Sequence, residues 1–93
     1  MSRAESKYLG KVARLGCVAC SLLGFDTDDS PCEIHHPRTD EGMAQRASNW
    51  LAIGLCPDHH RGPHGIHGDK QILRQLKCTE LDLLAYVISR INA

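Results

Sequence analysis

The 93-residue chain predicts a small α+β domain, in which a short β-hairpin is enclosed by helices and braced by metal rather than by a large core. Three observations predict it. Helical periodicity occupies both ends of the chain, two short extended apolar runs lie between them, and two Cys/His pairs of equal spacing bracket those runs. A chain of this length forms one domain and buries only a modest fraction of its surface. With one Trp, one Phe and two Tyr, the core falls to Leu, Ile and Val. A bound metal or disulfides would supply the stability that so small a core lacks.

Residues 2–15 read as a helix. Ser2 is its N-cap, and Glu5 three residues later completes a capping box. Tyr8, Val12 and Leu15 fall on one face, and Gly16 ends the helix. Arg3, Lys7, Lys11 and Arg14 recur at helical spacing as a basic stripe, either a solvated face or a contact for nucleic-acid phosphates. Residues 17–31 form a turn-rich excursion. In it Cys17-Val-Ala-Cys20 is a knuckle, Leu22, Leu23 and Phe25 make an apolar patch, and Asp26 to Pro31 is an exposed acidic loop.

Cys32 to His36 is an extended run, and Pro37 disfavours helix at His36. Residues 38–48 read as a surface loop containing Gly42. Trp50 to Leu55, WLAIGL, supplies the second strand of the hairpin. Pro57 starts a short helix toward Arg61, which Gly62-Pro63 interrupts. The segment HGIHG, from His64 to Gly68, is irregular. Asp69 caps a helix over Lys70 to Lys77 that buries Ile72, Leu73 and Leu76. Thr79 and Asp82 resemble another capping box, and behind them Leu81, Leu84, Ala85, Ile88 and Ile91 form a helical stripe. The single domain, 1–93, thus divides into a basic N-terminal helix (1–16), a core carrying the knuckles (17–68) and C-terminal helices (69–93).

Composition narrows the function. The odd count of five Cys argues against a fully paired disulfide scaffold. Residues 1–7, MSRAESK, have no apolar segment of a signal peptide behind them. No stretch approaches the roughly 18 apolar residues of a membrane span. These readings place the protein in a reducing cytoplasm without a membrane partner, where clustered Cys and His mean metal. The net charge is zero with His neutral, so bulk charge does not advertise nucleic acid.

Cys17-x-x-Cys20 and Cys56-x-x-His59 are chelating pairs. Each spacing lets a tight turn aim both ligands at one ion, and two such pairs make a closed tetrahedral zinc site. A redox dithiol is the weaker reading, since no βαβ pattern surrounds Cys17. Cys32 and Cys78 have no chelating neighbour and read as structural thiols. His35, His36, His60, His64 and His67 remain. So many imidazoles suit metal-assisted phosphodiester hydrolysis, in which one of the adjacent pair binds metal and the other acts as general base.

The order CxxC, Glu33-Ile-His-His36, Asn49-Trp-Leu-Ala-Ile-Gly-Leu-Cys56-Pro-Asp-His-His60, Gly65-Ile-His67-Gly resembles the HNH, or ββα-metal, endonucleases from about Cys17 to Gly68. More narrowly, it is similar to the phage-borne branch of recombination-enhancement, RecA-dependent nucleases, as is the closing Thr79-Glu-Leu-Asp-Leu-Leu helix. The resemblance implies an HNH fold and a DNA endonuclease or nickase acting in phage DNA recombination or processing. It implies His36 as general base. It implies His35, His60 and His67 as ligands of a catalytic Mg²⁺, Mn²⁺, Ni²⁺ or Zn²⁺, with His64 as the alternative third ligand. Asn49 stands for the family's Asn and holds the hairpin loop, although it lies seven residues before Cys56. The knuckle ends in His59 where the family often has Cys. Arg38 and Arg61 join the basic stripe as DNA contacts. The implied partners are DNA, a recombinase–DNA filament and a second copy of the chain, in the cytoplasm of a bacterial host. A zinc-stabilised DNA-binding or recombination accessory module without catalysis is the alternative. It accounts for the Cys pairs and the stripe, but gives no reason for His35, His36, His60 and His67 together.

Overall fold

The computed structural model describes residues 1–25, 32–37 and 48–93. In chain order these form α1 (Arg3–Leu15), α2 (Val18–Leu22), β1 (Glu33–His35), β2 (Ile53–Leu55), α3 (Pro57–Arg61), α4 (Gln71–Leu76) and α5 (Glu80–Ile91). The architecture is α+β, a two-stranded antiparallel sheet among helices. The loops expected over Asp26 to Pro31 and around Gly42, and Arg38 with them, lie outside the described residues.

Helix α1 starts where its cap predicts. The Ser2 hydroxyl accepts from the Glu5 N–H at 3.1 Å. The Glu5 carboxylate does not complete the box, because it accepts from Asn49 Nδ2 at 3.1 Å instead. Gly16, at φ 78°, ends the helix and sends its N–H to the Ala13 carbonyl. The expected turn-rich stretch behind it contains a short helix, α2, with Leu22 and Phe25 exposed beside it.

Strand β2 is the hub. It touches α1, α2, α3 and α5 as well as β1, and Ile53, Gly54 and Leu55 are all buried. The register pairs Glu33 with Leu55, Ile34 with Gly54 and His35 with Ile53. The strand is shorter than WLAIGL, because its partner β1 ends at His35 and a ladder cannot outrun its shorter strand. Trp50 and Leu51 are exposed before it, with the Trp50 ring 5.2 Å from that of Tyr8. A Cβ at Gly54 would stand 2.8 Å from the Gly16 carbonyl oxygen and 3.2 Å from that of Val12. Bare backbone at residue 54 therefore lets the end of α1 lie directly on the strand, which brings Cys17 beside Cys56.

Two expectations at the C-terminal end need correction. Helix α4 covers Gln71–Leu76, not Lys70 to Lys77, since Lys70 and Lys77 sit in the left-handed region at φ 60° and 56°. Asp69 still caps, accepting from the Gln71 N–H at 2.9 Å, and Ile72 is buried with Leu73 and Leu76 half-buried. The Thr79–Asp82 capping box of α5 forms in both directions. Its buried residues are Leu83, Leu84 and Val87, however, while Leu81, Ala85 and Ile88 of the expected stripe are exposed. Residues 81–88 carry apolar side chains nearly all round, so periodicity alone selects no face. Packing against α1, α2 and β2 selects it.

Replacing Gly54 by Ala tests this arrangement. Alanine normally stabilises a strand by limiting the unfolded backbone, by about 0.5–1 kcal/mol. Here the facing atoms are backbone carbonyls that cannot step aside. Gly54→Ala is expected to destabilise the domain by about 1–3 kcal/mol, the usual cost of overpacking, as a lower midpoint in denaturant. An unchanged or raised midpoint contradicts the close contact.

Candidate metal centre and histidine site

Cys17 and Cys56 are each the N-cap of a short helix, α2 and α3. Cys17 Sγ accepts from the Cys20 N–H at 3.3 Å, and Pro57 occupies the first turn of α3, where its missing N–H costs nothing. In each knuckle the cap and the residue three further on face the same side. The Gly16–Gly54 contact sets the knuckles face to face. His59 Nδ1 then lies 3.4 Å from Cys17 Sγ, 3.4 Å from Cys20 Sγ and 3.3 Å from Cys56 Sγ, and the Cys20 and Cys56 sulfurs are 3.9 Å apart. A zinc ion bound at about 2.3 Å to sulfur and about 2.1 Å to nitrogen sets tetrahedral edges of about 3.6 Å (S–N) and about 3.8 Å (S–S). The four donors, all within 4.8 Å of one another, fit that polyhedron and could hold such an ion.

The protonation chemistry agrees. All five cysteines are free thiols. Burial first, and then the neighbouring Cys17 and Cys56, push the Cys20 thiol up to about 12. Burial also pushes Cys56 up. Thiolates crowded in this way need a cation to offset their charge. Cys32 lies outside the tetrad and donates from Sγ to the Ala13 carbonyl, while Cys78 packs at the edge of the core.

A second group forms on the other side of α3. His35, His60 and His67 bring one ring nitrogen each within 4.8 Å of the others, with ring centroids 4.7–5.2 Å apart. His35 ends β1 and is buried, His60 is the residue after the tetrad's His59, and His67 is exposed. Backbone bonds strap the HGIHG segment to α3: the Ile66 N–H donates to the His59 carbonyl and the His67 N–H to that of His60, each at 2.9 Å. His64 stands apart from the group, paired with Asp69 at 3.1 Å.

Carboxylates orient two of these rings. His35 Nε2 meets Glu80 Oε2 at 2.9 Å, and His60 Nδ1 meets Glu33 Oε1 at 2.8 Å. A carboxylate only accepts, so each of these nitrogens carries a proton, and in the neutral ring the opposite nitrogen keeps its lone pair. That is the arrangement of metal-binding imidazoles. The Arg61 guanidinium, and after it His60, hold the Glu33 carboxyl below its ordinary value. Arg61 is thus engaged with Glu33 through Nε at 3.0 Å and through a terminal nitrogen at 2.7 Å.

His36, next to His35, is not one of the three. Its Nε2 lies 2.8 Å from Asn49 Oδ1, and Asn49 Nδ2 donates to Glu5 Oε2 at 3.1 Å. Glu5 cannot donate in its ionised form, so it fixes the amide with its oxygen toward His36. The Asn49 side chain therefore reaches across to His36. Arg3, Lys7, Lys11 and Arg14 are exposed on α1. What the reading from sequence missed is Glu33 and Glu80 as partners of the imidazoles, and Glu5, read only as a capping residue, as the partner of Asn49. For Glu33 and Glu80 the signal was the general rule that an imidazole placed to bind metal has a carboxylate partner. Glu33 and Glu80 even lie inside the quoted segments.

Loading the metal-free protein with zinc is expected to release protons at pH 7, at least the two held by Cys20 and Cys56, whose thiols are raised above their ordinary values. Acidification should correspondingly strip the ion. Indicator-dye titration with zinc checks this, and zinc uptake without proton release removes the thiols from the ligand set. Cys20→Ser should lose zinc and with it the cooperative unfolding transition.

Comparison with curated proteins and with solved structures gave no match. Over residues 2–92, nearly its whole length, the chain matches the family model described as recombination enhancement, RecA-dependent nuclease. It belongs to that family of nucleases, whose description implies DNA and RecA as partners.

Proposed function

We propose that the chain is a metal-dependent DNA endonuclease or nickase of the HNH type, hydrolysing phosphodiester bonds during recombination. The observation that carries this reading is the His36–Asn49–Glu5 relay placed one residue from the three-histidine group. A structural module has no use for a ring whose protonation is held in one tautomer beside a second set of ligands.

In this reading Cys17, Cys20, Cys56 and His59 hold a structural zinc. His35, through Nδ1, His60, through Nε2, and His67 would hold the catalytic ion, with Glu80 and Glu33 orienting the first two rings. Such an ion supplies charge stabilisation at the phosphate and leaving oxygens, and three protein donors leave positions open. His36 donates from Nε2 to Asn49, so its Nδ1 lone pair is available to take a proton from water. The resulting imidazolium keeps its bond to Asn49, and Glu5 behind the amide offsets its charge. The exposed cations of α1 would hold the DNA backbone. Arg61, and after it His60, hold the Glu33 carboxyl below its ordinary value.

His36→Ala is expected to fold, keep its zinc and nick plasmid about 10²- to 10⁴-fold more slowly than the parent in single-turnover assays with Mg²⁺ or Mn²⁺ and a RecA–DNA filament. Equal rates refute the base assignment. Parent protein that binds DNA but cuts nothing with any divalent ion favours the accessory-module reading. His67→Ala should lose affinity for the second metal and most activity, and His64→Ala, whose ring pairs with Asp69 at the surface, should keep both. The reverse order in a metal-binding titration exchanges the two residues.

A further inference from the structure

Away from the histidines, a cavity of about 230 Å³ opens between the end of α1, α2 and the second half of α5. Its polar wall consists of Arg14, Ser21, Tyr86 and Arg90, and among the described residues no Asp or Glu lines it. Among the described residues, neither guanidinium makes an ion pair or hydrogen bond. Ser21 Oγ and Tyr86 OH lie 3.0 Å apart. Two hydroxyls sharing one bond leave one O–H to donate elsewhere. Among the described residues the lining thus brings together two arginines and a hydroxyl donor, with no carboxylate beside them. Its complement is an anion with several acceptor oxygens.

We propose that this cavity binds a phosphate group of the DNA backbone, as an anchoring site distinct from the histidine group. The proposal rests on the nuclease reading for the identity of the polymer. Continuity selects that source: Arg14 is both a wall of the cavity and the last cation of the α1 stripe. The site is remote from the chemistry along α5. That helix begins at Glu80, bonded to His35, and reaches Arg90 ten residues later, about 15 Å along its axis. A phosphate held there sits several nucleotides from the scissile bond and contributes affinity and register rather than catalysis.

The test uses zinc-loaded protein without added catalytic metal. Arg90→Gln should weaken binding of a 30-base-pair duplex about eightfold at 0.1 M salt and lower the slope of log K against log salt by about 0.9, the effect of one phosphate contact. Arg90→Lys should restore most of the slope, which separates lost charge from lost folding. Inorganic phosphate, titrated in NMR, should shift the resonances of Ser21 and Tyr86 in the parent and not in Arg90→Gln. Unchanged salt slope in Arg90→Gln overturns the proposal, even where free phosphate shifts Ser21 and Tyr86, because the cavity then takes a small anion and not DNA. Plasmid nicking of the parent is scored separately. Nicking with an unchanged slope removes the anchor and leaves the nuclease reading, whereas a lost contact in a protein that never nicks does the opposite.

Discussion

The convergence of Cys17, Cys20, Cys56 and His59 on one point is the constraint from which the rest of the site follows. It ties α2 to α3, two helices of only five residues each, which could not hold an orientation by their own hydrogen bonds. Once His59 is fixed, its neighbour His60 must project from another side of α3, toward β1 and His35. The HGIHG segment then folds back on the same helix through the Ile66 and His67 amides. Gly65 permits that return, since a Cβ there would stand 2.7 Å from the carbonyl oxygens of both Asp58 and His59. The histidine group is thus built on the cysteine tetrad and shares its scaffold without sharing a ligand.

Carboxylates from three separate elements, Glu5 on α1, Glu33 on β1 and Glu80 on α5, complete the site. An imidazole on a short strand or a one-turn helix can rotate about two torsions. An accepting carboxylate or amide oxygen removes that freedom and fixes the tautomer. For His35 the partner is also required by burial: its ring is almost fully out of water, and an unpaired N–H there would be costly. Arg61 pairs with Glu33 from the solvent side and, ahead of His60, holds its carboxyl below the ordinary value. The arrangement fixes the rings in advance, which is what the proposed hydrolytic role requires.

The small core explains this reliance on polar connections. Val12, Cys17, Ala19, Ala52, Ile53, Leu55, Leu83 and Val87 are all essentially inaccessible, yet most are small or medium side chains. Close backbone packing at Gly54 raises the density that such residues can reach. The same contact, between α1 and β2, places α1 where Glu5 reaches Asn49. Stability and site geometry therefore share one helix.

The sequence by itself determined the element order, the caps at Ser2 and Thr79, the Pro57 start of α3 and the two chelating pairs, because each depends on residues within a few positions of one another. It also singled out the imidazoles as a chemical group. It could not choose the buried face of α5, where apolar residues surround the helix and only packing against α1, α2 and β2 separates Leu83 and Val87 from Leu81 and Ile88. It could not separate His67 from His64 by spacing, since the backbone bonds between residues 66–67 and 59–60 decide which ring comes beside His35 and His60. Least legible were the partners of the histidines. Glu5 reads locally as half of a capping box and Glu80 as a first-turn acid, and each acquires its place only when the chain brings residues 44 or 45 positions apart within hydrogen-bond distance.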